Sequence, residues 1–210
     1  MIDFPESTRI HQRMPKEAFY KRLELTSTLR EKFVSDVDRI FVEYSLTMEN
    51  LHLDKGSEVD EILLLTIALK KKEFDGKVVE AIARQNPHKL VFLLTYEDQR
   101  QLALYHGTLY RSPWMTEDKM LLTASGFSLK EIWDSFVEQI ALDDERAETD
   151  DGQTLDQRLQ MQQKILQLEK KIQKAENTAW KEVQPKKRFS LHQEVQNYKK
   201  ELEDLKHGQA

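Results

Sequence analysis

The chain of 210 residues has no cysteine. That excludes a disulfide framework, thiolate ligation of zinc or an iron–sulfur cluster, and a cysteine nucleophile, and it fits a reducing cytoplasm. Glycine is scarce and scattered, at positions 56, 76, 107, 126, 152 and 208, so neither a P-loop nor a dinucleotide fingerprint can be assembled. The six histidines, at 11, 52, 88, 106, 192 and 207, form no i, i+4 pair, and nothing in their spacing gathers them around a metal. Ser125-Gly126 lacks the preceding glycine of a nucleophile elbow. No window approaches the roughly eighteen apolar residues of a membrane span, and the opening MIDFPESTRIHQRMPKEAF has no apolar core of the signal-peptide kind. No cofactor and no membrane contact are implied.

What is present is charge. Charged residues make up 33% of the chain, against about 25% in an ordinary domain, while the 39% hydrophobic share is enough to bury a core. The net charge of −5 argues against a globally basic nucleic-acid binder but leaves room for a local basic face. The length suggests one medium domain plus an appendage, and composition places the division. The run Asp143-Asp144-Glu145-Arg146-Ala147-Glu148-Thr149-Asp150-Asp151-Gly152 has six acids, one arginine and nothing to bury. We therefore expect an α+β body over 1–142, an acidic linker over 143–154, and a helical hairpin acting as an interaction arm over 155–210.

In the last segment Met161, Ile165, Leu168, Ile172, Ala175 and Ala179 follow four-three spacing, as do Leu191, Val195, Tyr198, Leu202 and Leu205. Two heptad seams joined by a breaker at Gln184-Pro185-Lys186-Lys187-Arg188 predict a coiled-coil-like hairpin. The seams either satisfy each other or pair with another chain, as a homodimer or with a partner. Trp180, at the end of an otherwise polar helix, reads as a hairpin anchor or an interface residue.

In the body, Ser27 or Thr28 with Glu31 resembles a capping box opening a helix that runs to Val37 or Ile40. Strands are expected over Ile40–Leu46, Glu61–Lys70, Leu90–Tyr96 and Arg100–His106, with another near Met120–Thr123. Residues Thr47 to Asp54 read as a connection, and Glu97-Asp98-Gln99 as a hairpin loop of three to five residues. Val78, Val79 and Ile82 mark a short amphipathic helix, and Ser128 with Glu131 caps another carrying Ile132, Trp133, Phe136, Val137 and Ile140. The sum is an α+β fold with a mixed, mostly antiparallel sheet and covering helices.

Two constellations carry chemistry. Asp60 and Glu61 before the apolar strand, then Lys70 and Glu73 after it, resemble the carboxylates and lysine of a Mg²⁺-dependent restriction-type nuclease. Ala68 stands where a second ligand belongs, so the motif is degenerate. The plainer reading is a polar entrance to a buried strand and a solvated exit from it. The second constellation is basic: Lys70, Lys71, Lys72 and Lys77, and Lys186, Lys187 and Arg188 at the hairpin tip, with Phe74 and Phe189 adjacent. Such cations suit phosphate contacts and the aromatics suit stacking, although short basic runs at turns are commonly plain surface. Trp114, Trp133, Phe127 and Phe136 are expected to be core or sheet-covering rather than binding groups.

Four stretches, in order along almost the whole chain, carry a family resemblance. They are MIDFPESTRIHQRMPKEAFY with its strand-like MPK-x-x-FY, DEILLLTIALKKKE, KLVFLLTYEDQ and KKRFSLHQEVQNYKKELEDL. They resemble a bacterial domain of unknown function, family 4391. The resemblance implies a place beside DNA methyltransferases and superfamily-two helicases of restriction-like, anti-phage systems. It further implies a non-catalytic accessory role on a helicase, nuclease or methyltransferase partner. The residues expected to meet a partner are Trp180, Phe189 and Tyr198. Those expected to meet DNA, directly or through the partner, are Lys70, Lys71, Lys72, Lys186, Lys187 and Arg188.

Overall fold

Strand alternation and one amphipathic helix build the centre of the first unit. The computed structural model describes residues 2–53, 58–142 and 152–206, apart from the side chains of 20–22, and divides into compact units Met1–Asp143 and Asp144–Ala210. The first unit carries β1 (Ile2–Asp3), β2 (Arg9–Met14), α1 (Lys16–Arg22), α2 (Ser27–Asp36), β3 (Val37–Thr47), β4 (Glu61–Leu69) and α3 (Lys77–Gln85). It continues with β5 (Lys89–Tyr96), β6 (Gln99–His106), β7 (Thr108–Arg111), β8 (Met115–Thr116), β9 (Leu122–Thr123) and α4 (Leu129–Ala141). The second unit carries α5 (Leu155–Lys181) and α6 (Pro185–Lys206).

The main sheet runs β2-β3-β4-β5-β6-β7, with β8 also on β6. All its pairings are antiparallel except β4 with β5, which α3 joins as a parallel crossover registered from Ile62↔Lys89 to Ala68↔Thr95. A mixed, mostly antiparallel α+β sheet is therefore what forms. Period-two alternation turns Leu65, Ile67, Leu69, Phe92 and Leu94 toward α2 and α3, where they bury Phe33, Val78, Val79 and Ile82. The opposite parity presents Ile62, Leu64, Val91 and Leu104 to the other face, against which α4 packs the buried Trp133, Phe136 and Val137. Both faces are covered, which is why Glu61–Leu69 reads as a nearly unbroken apolar run.

Several boundaries differ from expectation for physical reasons. The N-cap of α2 is Thr26, with extended backbone and a hydroxyl that accepts from the Leu29 amide at 3.3 Å. That makes Ser27 the first helical residue. The helix stops at Asp36 and the chain enters β3 at once, because cations close its carboxyl end. The Lys70 amide donates to Asp36 O at 2.8 Å, Lys70 Nζ donates to Val34 O at 2.9 Å, and Lys16 Nζ donates to Val37 O. The β5–β6 turn is tighter than expected: Tyr96 pairs with Gln99, and Glu97 adopts φ +50°. The segment near 120–123 yields only β9, parallel to β1 and outside the main sheet. The strand-like MPK-x-x-FY is helix α1 from Lys16, started by Pro15. Of the Thr47–Asp54 connection, Met48 to His52 form turns, and Asp54 lies outside the described residues. Within the expected linker 143–154, residues 143–151 also lie outside them.

In the second unit α5 and α6 form an antiparallel hairpin. Ile172, Ala175 and Val195 are its buried centre, with Tyr198 and Leu202 against them. Lys199–Glu176 at 2.8 Å and Lys206–Glu169 at 3.3 Å bridge the two helices. Thr154 and Gln157 close a reciprocal capping box at the start of α5. The break between the helices is Glu182-Val183-Gln184, because Pro185 opens α6 as its first residue, where a missing N–H costs nothing. Lys186, Lys187 and Arg188 consequently sit in the first helical turn of α6, and Gln184 O accepts from the Arg188 amide at 2.9 Å.

Candidate functional site

The lysine run after β4 is built into the fold. Lys70 caps α2 as described, and Lys71 Nζ lies 2.7 Å from Oδ1 of Asp36, which is buried. Asp36 also accepts from the Ser35 hydroxyl at 2.6 Å and from the Asp75 amide at 3.2 Å. Burial opposes its ionisation, but these hydrogen bonds and the Lys71 charge outweigh that and hold the carboxyl below its ordinary value. Asp75 is likewise held low by the Lys32 ammonium hydrogen-bonded to it and by the Lys77 amide. Lys72 Nζ stands 5.9 Å from the centre of the Trp114 ring. Each of the three lysines placed among the DNA-contact candidates thus has an intramolecular partner.

The nuclease constellation is not assembled. Glu61 accepts from the Ser45 hydroxyl and lies 3.3 Å from His88 Nδ1 at one end of β4, next to exposed Asp60. Lys70 and Glu73 follow the other end, nine strand residues away, or about 30 Å at roughly 3.3 Å per residue. Among the described residues no group of three His, Asp or Glu side chains could hold a metal ion. Trp133 and Phe136 are core, and Trp114 is half-buried against the α2–α3 cluster. Phe127 departs from expectation: it is 89% exposed, its amide donating to Glu131 Oε2 at 2.9 Å as the chain turns into α4.

The hairpin tip is different in kind. Trp180, Val183 and Phe189 are 90%, 86% and 66% exposed, so Trp180 anchors nothing within the hairpin. Lys181, Lys186, Lys187 and Arg188 lie between or beside them in sequence, exposed and making no ion pair with any described residue. Three of these cations occupy the first turn of α6, the positive end of its helix dipole, where cations are disfavoured and anions favoured. Tyr198, by contrast, belongs to the hairpin seam. Its hydroxyl donates to Glu194 Oε1 at 2.7 Å and Lys171 Nζ lies 5.7 Å from its ring centre.

Residue-by-residue inspection missed Val183, Lys181 and a wider charge pattern. Between 170 and 200 the sequence holds nine lysines and arginines against three glutamates, a net +6, while the remainder of the chain sums to −11. Summing charge along the two seams would have found it.

The fold and surface define an α+β protein with a helical-hairpin unit whose tip carries exposed aromatic and cationic side chains. The family described as Domain of unknown function (DUF4391) matches residues 2–202, and the chain belongs to that family. No curated protein and no solved structure matches the chain. No helix among the described residues is long and apolar enough to cross a membrane.

Proposed function

We propose that the protein is a non-catalytic, cytoplasmic accessory subunit of a bacterial restriction-like anti-phage assembly, and that the tip of the α5–α6 hairpin is its contact element. The partner is a helicase, nuclease or DNA methyltransferase of that assembly. The observation that supports this reading is the exposure of Trp180, Val183 and Phe189 together at one helix–helix connection. Large apolar side chains left in water without an intramolecular partner mark an interaction site, and tryptophan is among the residues that most often dominate such contacts. The defence setting follows from the family resemblance of the four stretches quoted above.

The test is co-purification of the tagged chain with the products of its neighbouring genes. Wild type should bring down a helicase, nuclease or methyltransferase. A Trp180→Ser, Val183→Ser, Phe189→Ser variant should lose it while keeping its helical circular dichroism. Undiminished capture by that variant would exclude the tip as the contact element.

A further inference from the structure

We propose that the distal hairpin binds single-stranded nucleic acid, with bases stacked on Trp180 and Phe189 and phosphates held by Lys181, Lys186, Lys187 and Arg188. The proposal rests on the reading of the tip as the contact element and deepens it by assigning what the tip touches: a nucleic-acid strand shared with the partner, through which the tip meets that partner, rather than the partner's own surface. Three observations carry it. The tip cations are exposed and have no ion-pair partner among the described residues, whereas the Lys70–Lys72 cations are engaged in the fold. The +6 of residues 170–200 stands within a chain of net −5, so the charge is concentrated along one pair of helices, the footprint expected for a polyanion. The aromatic rings are interleaved with these cations in sequence, Trp180 beside Lys181 and Phe189 beside Arg188.

This composition separates a nucleic acid from a protein groove. Protein interfaces keep charge out of their centre and carry it at the rim, whereas here the residue next in sequence to each ring is a cation, Lys181 after Trp180 and Arg188 before Phe189. It also favours a single strand over a duplex, because base faces are free to stack on aromatic side chains only when the bases are splayed apart.

The experiment is fluorescence anisotropy of a fluorescein-labelled oligothymidylate, about 20 nucleotides long, titrated with the full chain over a series of salt concentrations. Wild type should bind the single strand more tightly than a duplex of equal length. Lys186→Glu, Lys187→Glu, Arg188→Glu should weaken binding at least tenfold and flatten the slope of log affinity against log salt by about 2, for three phosphate contacts at about 0.7 each. Trp180→Ala, Phe189→Ala should weaken binding about tenfold or more and leave the slope unchanged. All these side chains are exposed, so thermal melts should match wild type. No binding at low salt, or equal binding by both variants, overturns the proposal. Nuclease treatment during the co-purification separates it from the parent reading. A complex that survives nuclease yet is lost in the Trp180, Phe189 variant has a protein on the tip, which overturns the nucleic-acid assignment and preserves the accessory role. Oligonucleotide binding by a chain that captures no neighbour does the reverse.

Discussion

Asp36 shows how a single residue couples the lysine run to the stability of the body. Its carboxyl is buried at the end of α2 and is held ionised by Lys71, the Ser35 hydroxyl and the Asp75 amide. A carboxyl whose folded pKa lies below its unfolded value, near 3.9, contributes stability that is fully present above the unfolded value. That stability is lost as pH falls through the folded one, because unfolding then takes up a proton. Wild type should therefore lose stability steeply below about pH 4, and Asp36→Asn should be less stable at neutral pH and shallower in that acid limb, both read from urea unfolding across pH. Lys71→Ala removes one of the carboxylate's partners and should cost about 1–3 kcal/mol by the same measurement. Gly126 makes a backbone prediction. Its φ is +143°, and a Cβ there would stand 2.7 Å from Glu131 Cβ and 2.9 Å from the Ile132 amide nitrogen. Gly126→Ala should then destabilise the body by about 1–3 kcal/mol, seen as a lowered Tm.

Among the elements, the long apolar and heptad patterns were legible and the short ones were not. Glu61–Leu69 announces a covered strand because both its faces are buried, and Ser128 announces α4 because its hydroxyl does accept from the Glu131 amide, at 3.2 Å. The edge strand Arg9–Met14 is almost wholly exposed, so burial imposes no alternation on its sequence. β7 and β8 are too short to show a period. The hairpin seams were readable from spacing, but the break was misplaced, since Pro185 signals a stop and equally a first helical residue. That difference moves Lys186, Lys187 and Arg188 from a loop into a helix and fixes their order around the tip. The cluster that joins the two helices is Ile172, Ala175 and Val195 with Tyr198 and Leu202 against them, while Leu159, Ile165, Leu168 and Ala179 are also buried along the first helix. Ile172→Ala should cost about 2–5 kcal/mol there, read as an earlier loss of helical circular dichroism on heating.

For the whole molecule, the net charge hides what matters. A chain of −5 is expected to pass over a cation exchanger at neutral pH, yet nine cations against three acids lie between 170 and 200, and the acids are concentrated elsewhere. Exposed charges interact strongly only within about a Debye length, close to 10 Å at 0.1 M salt, so a charged resin reads local surfaces rather than the sum. The intact protein should be retained at pH 7 and low salt on a sulfopropyl column as well as on an anion exchanger. Lys186→Glu, Lys187→Glu, Arg188→Glu, which changes the sum to −11, should abolish the first retention and strengthen the second. If wild type flows through the sulfopropyl column, the tip cations do not act as a local basic surface and the charge on which the nucleic-acid proposal stands is not available in solution. If it is retained and the triple variant is not, the division of charge between the hairpin and the rest of the chain is an operating property of the folded protein.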